Sequence, residues 1–313
     1  LPGQITERAA PDLISQLAGR LGQGVVLVSG TNGKTTACRA LADLLAAAGL
    51  TVIHNRAGSN LIRGISAALV NGEALLGPNS IGLFEVDEAT LPQAVRLLSP
   101  RLVVLLNLFR DQLDRYGEVD AIVGRWREMV AALPEGATVV LNADDPVVAS
   151  LGEAAAEAPV YFGVADGTAG LAEPEHAADF TDCLFCGVPF VYDISYFGHL
   201  GHYTCPECER QRPWAQVEAT VARGRGLAGT DLTVRVGDRP VEASLPLPGL
   251  YNVYNLLAGL AAVYALELKL ADLPATLAAV RPAFGRAERL QAGTRSLVTL
   301  LTKNPVGANQ VLR

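Results

Sequence analysis

Val25-Val26-Leu27-Val28-Ser29-Gly30-Thr31-Asn32-Gly33-Lys34-Thr35-Thr36 is the stretch on which the reading of this chain turns. The run of aliphatic and β-branched residues at 25–28 predicts a strand buried on both faces, and the Gly-Thr-Asn-Gly turn leads into a helix expected over 34–48. Strand, glycine-rich turn and helix in that order gather backbone N–H groups at the positive end of a helix, which forms a cradle for phosphate oxygens. In such a cradle Lys34 reaches the terminal phosphates and the Thr35 hydroxyl can hold magnesium. A strict G-x-x-x-x-G-K-[ST] pattern requires glycine where the chain has Val28, so the general motif is met only in part. The alternative is a plain Gly-Asn turn ahead of a helix, which the preceding strand and the Lys-Thr-Thr run disfavour.

Outward from this stretch, apolar strands are expected at 81–86, 102–106, 138–141 and 160–162, with helices near 11–20, 91–98 and 119–133. Continuous apolar strands joined by helices predict an α/β fold with a mostly parallel sheet covered on both faces. Residues 164–175 turn to Gly, Ala and acidic types and read as a linker. Alternation at 231–236 and 241–245 predicts antiparallel strands, and a helix is expected over 251–267. A strand at 296–301, a turn at 303–305 and the opening of a further helix close the chain. There is no internal repeat or low-complexity tract.

A second device lies between the linker and the antiparallel strands: Cys183-Leu184-Phe185-Cys186, eighteen residues, then Cys205-Pro206-Glu207-Cys208. Two C-x-x-C turns each present two sulfurs, and four thiolates suit tetrahedral zinc, so Cys183, Cys186, Cys205 and Cys208 predict a Zn2+ ribbon over about 180–212. A four-sulfur site leaves no position open for water, which favours a structural role. Tyr192, Tyr196, Phe197 and Tyr203 can pack a small hairpin around it, with Gly187 and Pro206 in the turns. A redox role does not account for two pairs; His199 and His202 between them could in principle displace a cysteine, but a lone His is more often a surface or core residue. Cys38 falls on the apolar helix after the glycine-rich turn. Metal-type cysteine usage fits a reducing compartment, so a cytoplasmic location is expected.

Composition narrows the field further. Half of the 313 residues are hydrophobic, enough for a full core, and the formal net charge of −7 with scattered basic residues argues against a nucleic-acid partner. The apolar runs are far shorter than the ~20 residues a bilayer requires, so no transmembrane segment is expected. Leu1-Pro2-Gly3 does not begin a secretory leader pattern.

Gly30-Thr31-Asn32-Gly33-Lys34-Thr35-Thr36 resembles the variant phosphate loop of the Mur ligase family, ATP-dependent enzymes that join an amine to a carboxylate. Asn107-x-x-x-Asp111-Gln112-Leu113-Asp114-x-x-Gly117 resembles that family's N-x-x-x-D-H-L-D-x-x-G, and Asn142-Ala143-Asp144-Asp145-Pro146 its N-x-D-D-P. Pro248 to Asn255 is similar to G-x-H-N-x-x-N, and Gly285-Arg286-Ala287-Glu288 to G-R-x-E. The resemblance implies a central ATP-binding domain over 1–284 carrying the ribbon as an insertion, and the start of a truncated C-terminal α/β domain at 285–313. It implies that Lys34 and Glu85 are catalytic and that Glu85 joins Thr35 as a magnesium ligand. Asn252 and Asn255 would face the nucleotide base or neighbouring loops, and Arg286 the phosphates; Asp87 and Glu88 stay unassigned. Gln112 and Tyr251 stand where most members carry His, which leaves a second metal site without its usual ligand. Only a short helix precedes the loop, so the domain that binds a UDP-linked precursor is expected to be missing.

The cysteine quartet, Phe109 to Glu118 and the tail Lys303-Asn304-Pro305-x-Gly307-x-Asn309-Gln310-Val311-Leu312 resemble the amidating MurT subfamily. That resemblance implies ATP, Mg2+ and Zn2+ as cofactors, and phosphorylation of the D-glutamate α-carboxylate in the lipid II stem peptide at the membrane surface. Ammonia would come from a GatD-like glutamine amidotransferase subunit. The competing expectations are an amino-acid-adding Mur or folylpolyglutamate-type ligase and a nucleotide-binding scaffold without turnover.

Overall fold

The computed structural model describes residues 12–55, 59–110, 118–171, 179–281, 288–293 and 295–299. Six strands lie within residues 25–164: β1 (Val25–Ser29), β2 (Thr51–His54), β3 (Ser80–Glu85), β4 (Leu102–Leu105), β5 (Thr138–Asn142) and β6 (Val160–Val164). An antiparallel hairpin, β7 (Val191–Phe197) and β8 (Leu200–Thr204), stands apart from the main sheet. β9 (Val217–Gly224), β10 (Thr230–Val236) and β11 (Arg239–Leu245) follow, and β12 (Glu288–Ala292) pairs with β13 (Arg295–Thr299). The central sheet has nine strands in the order β11-β10-β9-β6-β5-β4-β1-β3-β2. Neighbours from β2 through to β9 pair in parallel, and β10 and β11 add an antiparallel margin.

Strand alternation divides the core. Val26, Val28, Leu102, Val104 and Val140 point to one face, where α2 (Lys34–Ala47) and the later helix α7 (Leu250–Ala265) cover them. Val25, Leu27, Val103, Leu105, Val139 and Leu141 point to the other. That face is covered by α1 (Leu13–Ala18), α3 (Ile62–Asn71), α4 (Leu91–Leu98), α5 (Glu118–Ala131) and α6 (Pro146–Ser150). Each fully buried Leu, Ile or Val contributes about 1.5–3 kcal/mol, so two packed faces explain why the strands read as unbroken apolar runs. The Ala- and Leu-rich α2 ends at Gly49, whose φ of +86° supports a left-handed cap in which Leu50 N–H reaches back to the Leu45 carbonyl at 3.1 Å.

Several described elements, among them β2, α3, α6, β9 and β12, were not legible from periodicity. β2 is a four-residue edge strand, α3 follows Leu61 without a capping side chain, and β9 mixes Glu, Thr and Arg among its apolar residues. β9 pairs with both β6 and β10, so the expected antiparallel pair is the margin of the main sheet. The expected strand at 296–301 is observed as β13, whereas the turn at 303–305, the following helix and the boundary at 284/285 lie outside the described residues. A short helix, α8 (Leu273–Ala278), packs near β11 and starts at Asp272, whose carboxylate accepts the Ala275 N–H at 2.9 Å.

The chain order reverses at β1, which lies between β3 and β4 although β2 follows it in sequence. In parallel α/β sheets a crevice opens beyond the strand ends at such a reversal, and here the glycine-rich turn occupies it.

Candidate functional site

The turn after β1 is held from one side by the end of β4. Thr31 N–H donates to the Asn107 carbonyl at 3.1 Å, and Asn32 N–H to Asn107 Oδ1 at 2.9 Å, while Asn107 Nδ2 returns a bond to the Asn32 carbonyl at 3.0 Å. The Thr31 hydroxyl accepts the Phe109 N–H at 2.9 Å and donates to the Phe109 carbonyl at 3.1 Å. Two positions require glycine. Gly30 has φ +145° with Leu106 and Asn107 against it, and Gly33, at +87°, faces the Asn255 amide so closely that a Cβ would overlap it.

Gly33 caps α2, so Lys34, Thr35 and Thr36 fill its first turn. Lys34 is only 8% exposed; its ammonium donates to the Gly30 carbonyl and pairs with Glu88 Oε1 at 2.9 Å. Burial pushes the Glu88 carboxyl above its ordinary value, and Lys34 offsets this only in part. The Glu88 carbonyl accepts the Trp126 Nε1–H at 3.0 Å, which ties this acid to α5. Glu88 and Asp87 are thereby separated: Asp87 Oδ1 accepts the nearby Ala89 N–H at 3.1 Å, and Glu88 meets the lysine.

Glu85, 5% exposed at the end of β3, accepts the Thr35 hydroxyl at 3.3 Å. Asn55 fixes the Glu85 backbone by two bonds, accepting its N–H at 3.0 Å and donating to its carbonyl at 2.9 Å. Thr35 and Glu85 present hard oxygen donors beside the loop, a set that suits magnesium, which keeps waters and phosphate oxygens for its remaining positions.

Lys34, Thr35 and Glu85 thus meet at the switch point with Gly30 to Gly33. Asn255 reaches the loop at Gly33, whereas Asn252 donates to the Pro248 carbonyl at 2.7 Å and so secures the turn into α7. Arg286, and the segment Asp111 to Gly117 with Gln112, lie outside the described residues. Sequence reasoning assigned no role to Asn55 or Asn107, and no local signal marks Asn55, because it becomes relevant only when β2 and β3 lie side by side.

The four cysteines converge. All four Sγ atoms lie within 4.8 Å of one another, with Cys183–Cys208 at 3.5 Å and Cys186–Cys205 at 3.4 Å. Zn–S bonds of about 2.3 Å in a tetrahedron imply S···S edges of about 3.8 Å, so the set fits zinc. The two knuckles repeat one turn: Gly187 N–H donates to the Cys183 carbonyl at 2.8 Å and Glu209 N–H to the Cys205 carbonyl at 3.0 Å. Gly187 and Glu209 both have positive φ, +72° and +59°. The histidines are not part of the cluster, in keeping with the expectation that a lone His is more often a core or surface residue than a ligand. His202 Nε2 lies 2.7 Å from the Val164 carbonyl, and His199 stands beside Asp145.

Asp144 and Asp145 join the ribbon to the sheet. Fully buried Asp144 accepts the Val164 N–H at 2.8 Å and the Tyr254 hydroxyl at 2.6 Å, and pairs with Arg212. Arg212 also binds Glu218, which in turn binds Arg235, at 2.7 and 2.8 Å. Asp145 caps α6 through the Val147 and Val148 N–H groups at 3.0 and 3.1 Å, and its other oxygen accepts the Leu108 N–H at 2.9 Å.

A family model described as the Mur ligase middle domain matches residues 28–185. The chain is 30% identical over 320 aligned residues to the lipid II isoglutaminyl synthase (glutamine-hydrolyzing) subunit MurT of Staphylococcus aureus, covering 100% of this chain and 68% of that subunit. The MurT subunit of Streptococcus pneumoniae is also 30% identical, over 322 residues, with the same coverage of 100% and 68%. Among solved structures, a pseudomurein peptide ligase type C from Methanothermus fervidus superposes with a TM-score of 0.71 at 25% identity, covering 92% of this chain and 55% of that one. The chain therefore spans little more than half the length of this structural relative.

Proposed function

This chain belongs to the Mur ligase family, and from that premise we propose that it is the ATP-binding part of a lipid II isoglutaminyl synthase. In this reading it is an ATP-dependent carbon–nitrogen ligase that amidates the D-glutamate α-carboxylate of the peptidoglycan stem peptide. What carries the reading is the four-sulfur cluster within a chain that is similar to MurT subunits along its full length. The division at 284/285, a cytoplasmic location and action at the membrane surface belong to the same reading. No helix among the described residues is long and apolar enough to cross a membrane.

The chemistry asks for two displacements. A carboxylate oxygen attacks the γ-phosphorus of ATP, the bond to the β–γ bridging oxygen breaks, and ADP leaves. Ammonia then adds to the acyl carbon and loses a proton, and phosphate departs with the bonding electrons to leave the carboxamide. The backbone N–H groups of the loop and Lys34 would hold the β- and γ-phosphates, with Lys34 exchanging its contact with Glu88 for the phosphate. Thr35 and Glu85 would hold Mg2+, which neutralises charge on the transferred group. Asn255 would keep the loop in register, Asn252 would hold the α7 turn beside the nucleotide, and Arg286 would contact phosphate. Zn2+ on the four cysteines would supply stability without an open position for chemistry.

A separate glutaminase is required in this reading. Cys38 is wholly buried, and burial together with the Glu85 charge pushes its thiol well above the ordinary value, so it is unsuited as a nucleophile. The other cysteines are the cluster. A GatD-like amidotransferase subunit would supply the ammonia.

The decisive experiment pairs the full-length protein with its amidotransferase and follows lipid II by mass spectrometry. Glutamine and MgATP should convert the stem-peptide carboxyl to a carboxamide. Ligation of a free amino acid instead would identify an amino-acid-adding or folylpolyglutamate-type ligase, and MgATP binding without any product would identify a scaffold.

A further inference from the structure

The turn between β7 and β8 is remote in sequence from the phosphate loop, yet it packs beneath the segment that grips that loop. His199, in the turn, is 1% exposed, and its ring lies between Phe109 and Phe180 at centroid distances of 4.7 and 5.2 Å. Its Nε2 stands 3.4 Å from Asp145 Oδ2, and neither ring nitrogen has a hydrogen-bond partner among the described residues. That same Asp145 oxygen accepts the Leu108 N–H, and the next residue, Phe109, holds the Thr31 hydroxyl through both its N–H and its carbonyl.

The ribbon makes further contacts of the same sense. At its start, Asp179 Oδ2 accepts the Arg110 N–H at 3.0 Å. At the end of β7, Phe197 stacks on Phe109 at 6.3 Å and stands edge-on to Tyr254 at 5.5 Å. Tyr254 precedes Asn255, the residue that faces Gly33. The ribbon therefore touches both walls of the loop, the Thr31 wall through Phe109 and the Gly33 wall through α7.

An imidazole buried without a hydrogen bond is unfavourable, and a phenyl ring would pack between two phenylalanines at no such disadvantage. What the imidazole adds is a polar edge directed at Asp145, the carboxylate that sets residue 108. We propose that the cysteine ribbon is a positioning element of the nucleotide site and that His199 is its positioning residue, acting through Asp145 and Phe109 on Thr31. The inference rests on the reading of the loop as a MgATP site.

Isothermal titration of the full chain with MgATP tests it, with zinc content read by thiolate-release assay on the same samples. His199→Phe should retain one zinc per chain and weaken MgATP about tenfold, and His199→Gln, which keeps a donor near Asp145, should recover part of that loss. Thr31→Val severs the same route, so His199→Phe added to it should cost little more. Wild-type affinity in a zinc-loaded His199→Phe chain overturns the proposal, as does a double variant whose loss equals the product of the two single losses. Should His199→Phe fail to fold, His199→Gln and Phe180→Leu carry the test, and unchanged affinity in both overturns it. If wild type and Lys34→Ala alike fail to bind MgATP, the nucleotide reading itself falls and takes this inference with it; binding by wild type with no effect at His199 removes the inference alone.

Discussion

The glycine-rich loop and the cysteine ribbon are both polar sites attached to an apolar α/β core, and they are built in opposite ways. The loop is one contiguous segment whose backbone is pinned by Asn107 and Phe109, and its lysine is held by contacts a ligand can replace: Lys34 donates to the Gly30 carbonyl and pairs with Glu88, whose carboxylate burial disfavours. The ribbon draws four sulfurs from two knuckles, in residues as far as 25 positions apart, and brings them within 4.8 Å of one another. A set of donors whose present partners can be exchanged is suited to a ligand that arrives and leaves, whereas a closed tetrahedral set is suited to permanence.

The contrast breaks most visibly at the ribbon. Cys205→Ser should release the metal and remove at least about 5 kcal/mol of stability, seen as loss of zinc in a thiolate assay and a large fall in the thermal midpoint. A metal-free variant with an unchanged midpoint would show that the cluster does not support the fold.

Arg212→Met tests the junction between the two regions. It leaves Asp144 buried at full depth with its cationic partner gone, and should destabilise by about 3–5 kcal/mol in urea unfolding. A loss below about 1 kcal/mol would mean that the Tyr254 hydroxyl and the Val164 N–H suffice for Asp144.

Lys34→Ala should act in the reverse sense, lowering MgATP-dependent turnover by about 10²–10³-fold while changing stability by about 1 kcal/mol or less. Glu88 can take up a proton when its partner is removed, because its carboxyl is already raised. Equal loss of fold in Lys34→Ala and Cys205→Ser would erase the distinction between the two sites.

The smallest effect is acid sensitivity at Glu218. Burial alone would raise this carboxyl, but Arg235 and Arg212 hold it below its ordinary value of 4.5. A carboxylate depressed in the folded state adds stability above its unfolded pKa and loses it as pH falls through the folded value. Thermal midpoints should therefore decline below about pH 4.5 in the wild type, and Glu218→Gln should flatten that decline.

The strand–turn–helix at 25–47 and the cysteine pairs were legible because their determinants are local: unbroken apolar residues, glycines at positive φ and ligands at fixed spacing. β9 was not legible, since it is stabilised by neighbours on both sides rather than by its own alternation. Asn55 and Glu88 gained a place in the site only from contacts across 30 and 54 positions, and His199 was expected as a core or surface residue, but nothing local in the sequence pairs it with Asp145.

The sequence by itself determined the α/β class, the strand, glycine turn and helix at 25–47 and the four-thiolate set, each written in residues whose backbone geometry or spacing restricts the alternatives. Only the tertiary structure decided that Glu88 faces Lys34, that Asp144 and Arg212 fasten the ribbon, and that His199 lies under Phe109. Those contacts depend on which strands become neighbours. Buried charges and rings are satisfied by whatever the packed sheet brings within a few ångströms, a relation that short-range sequence pattern does not encode.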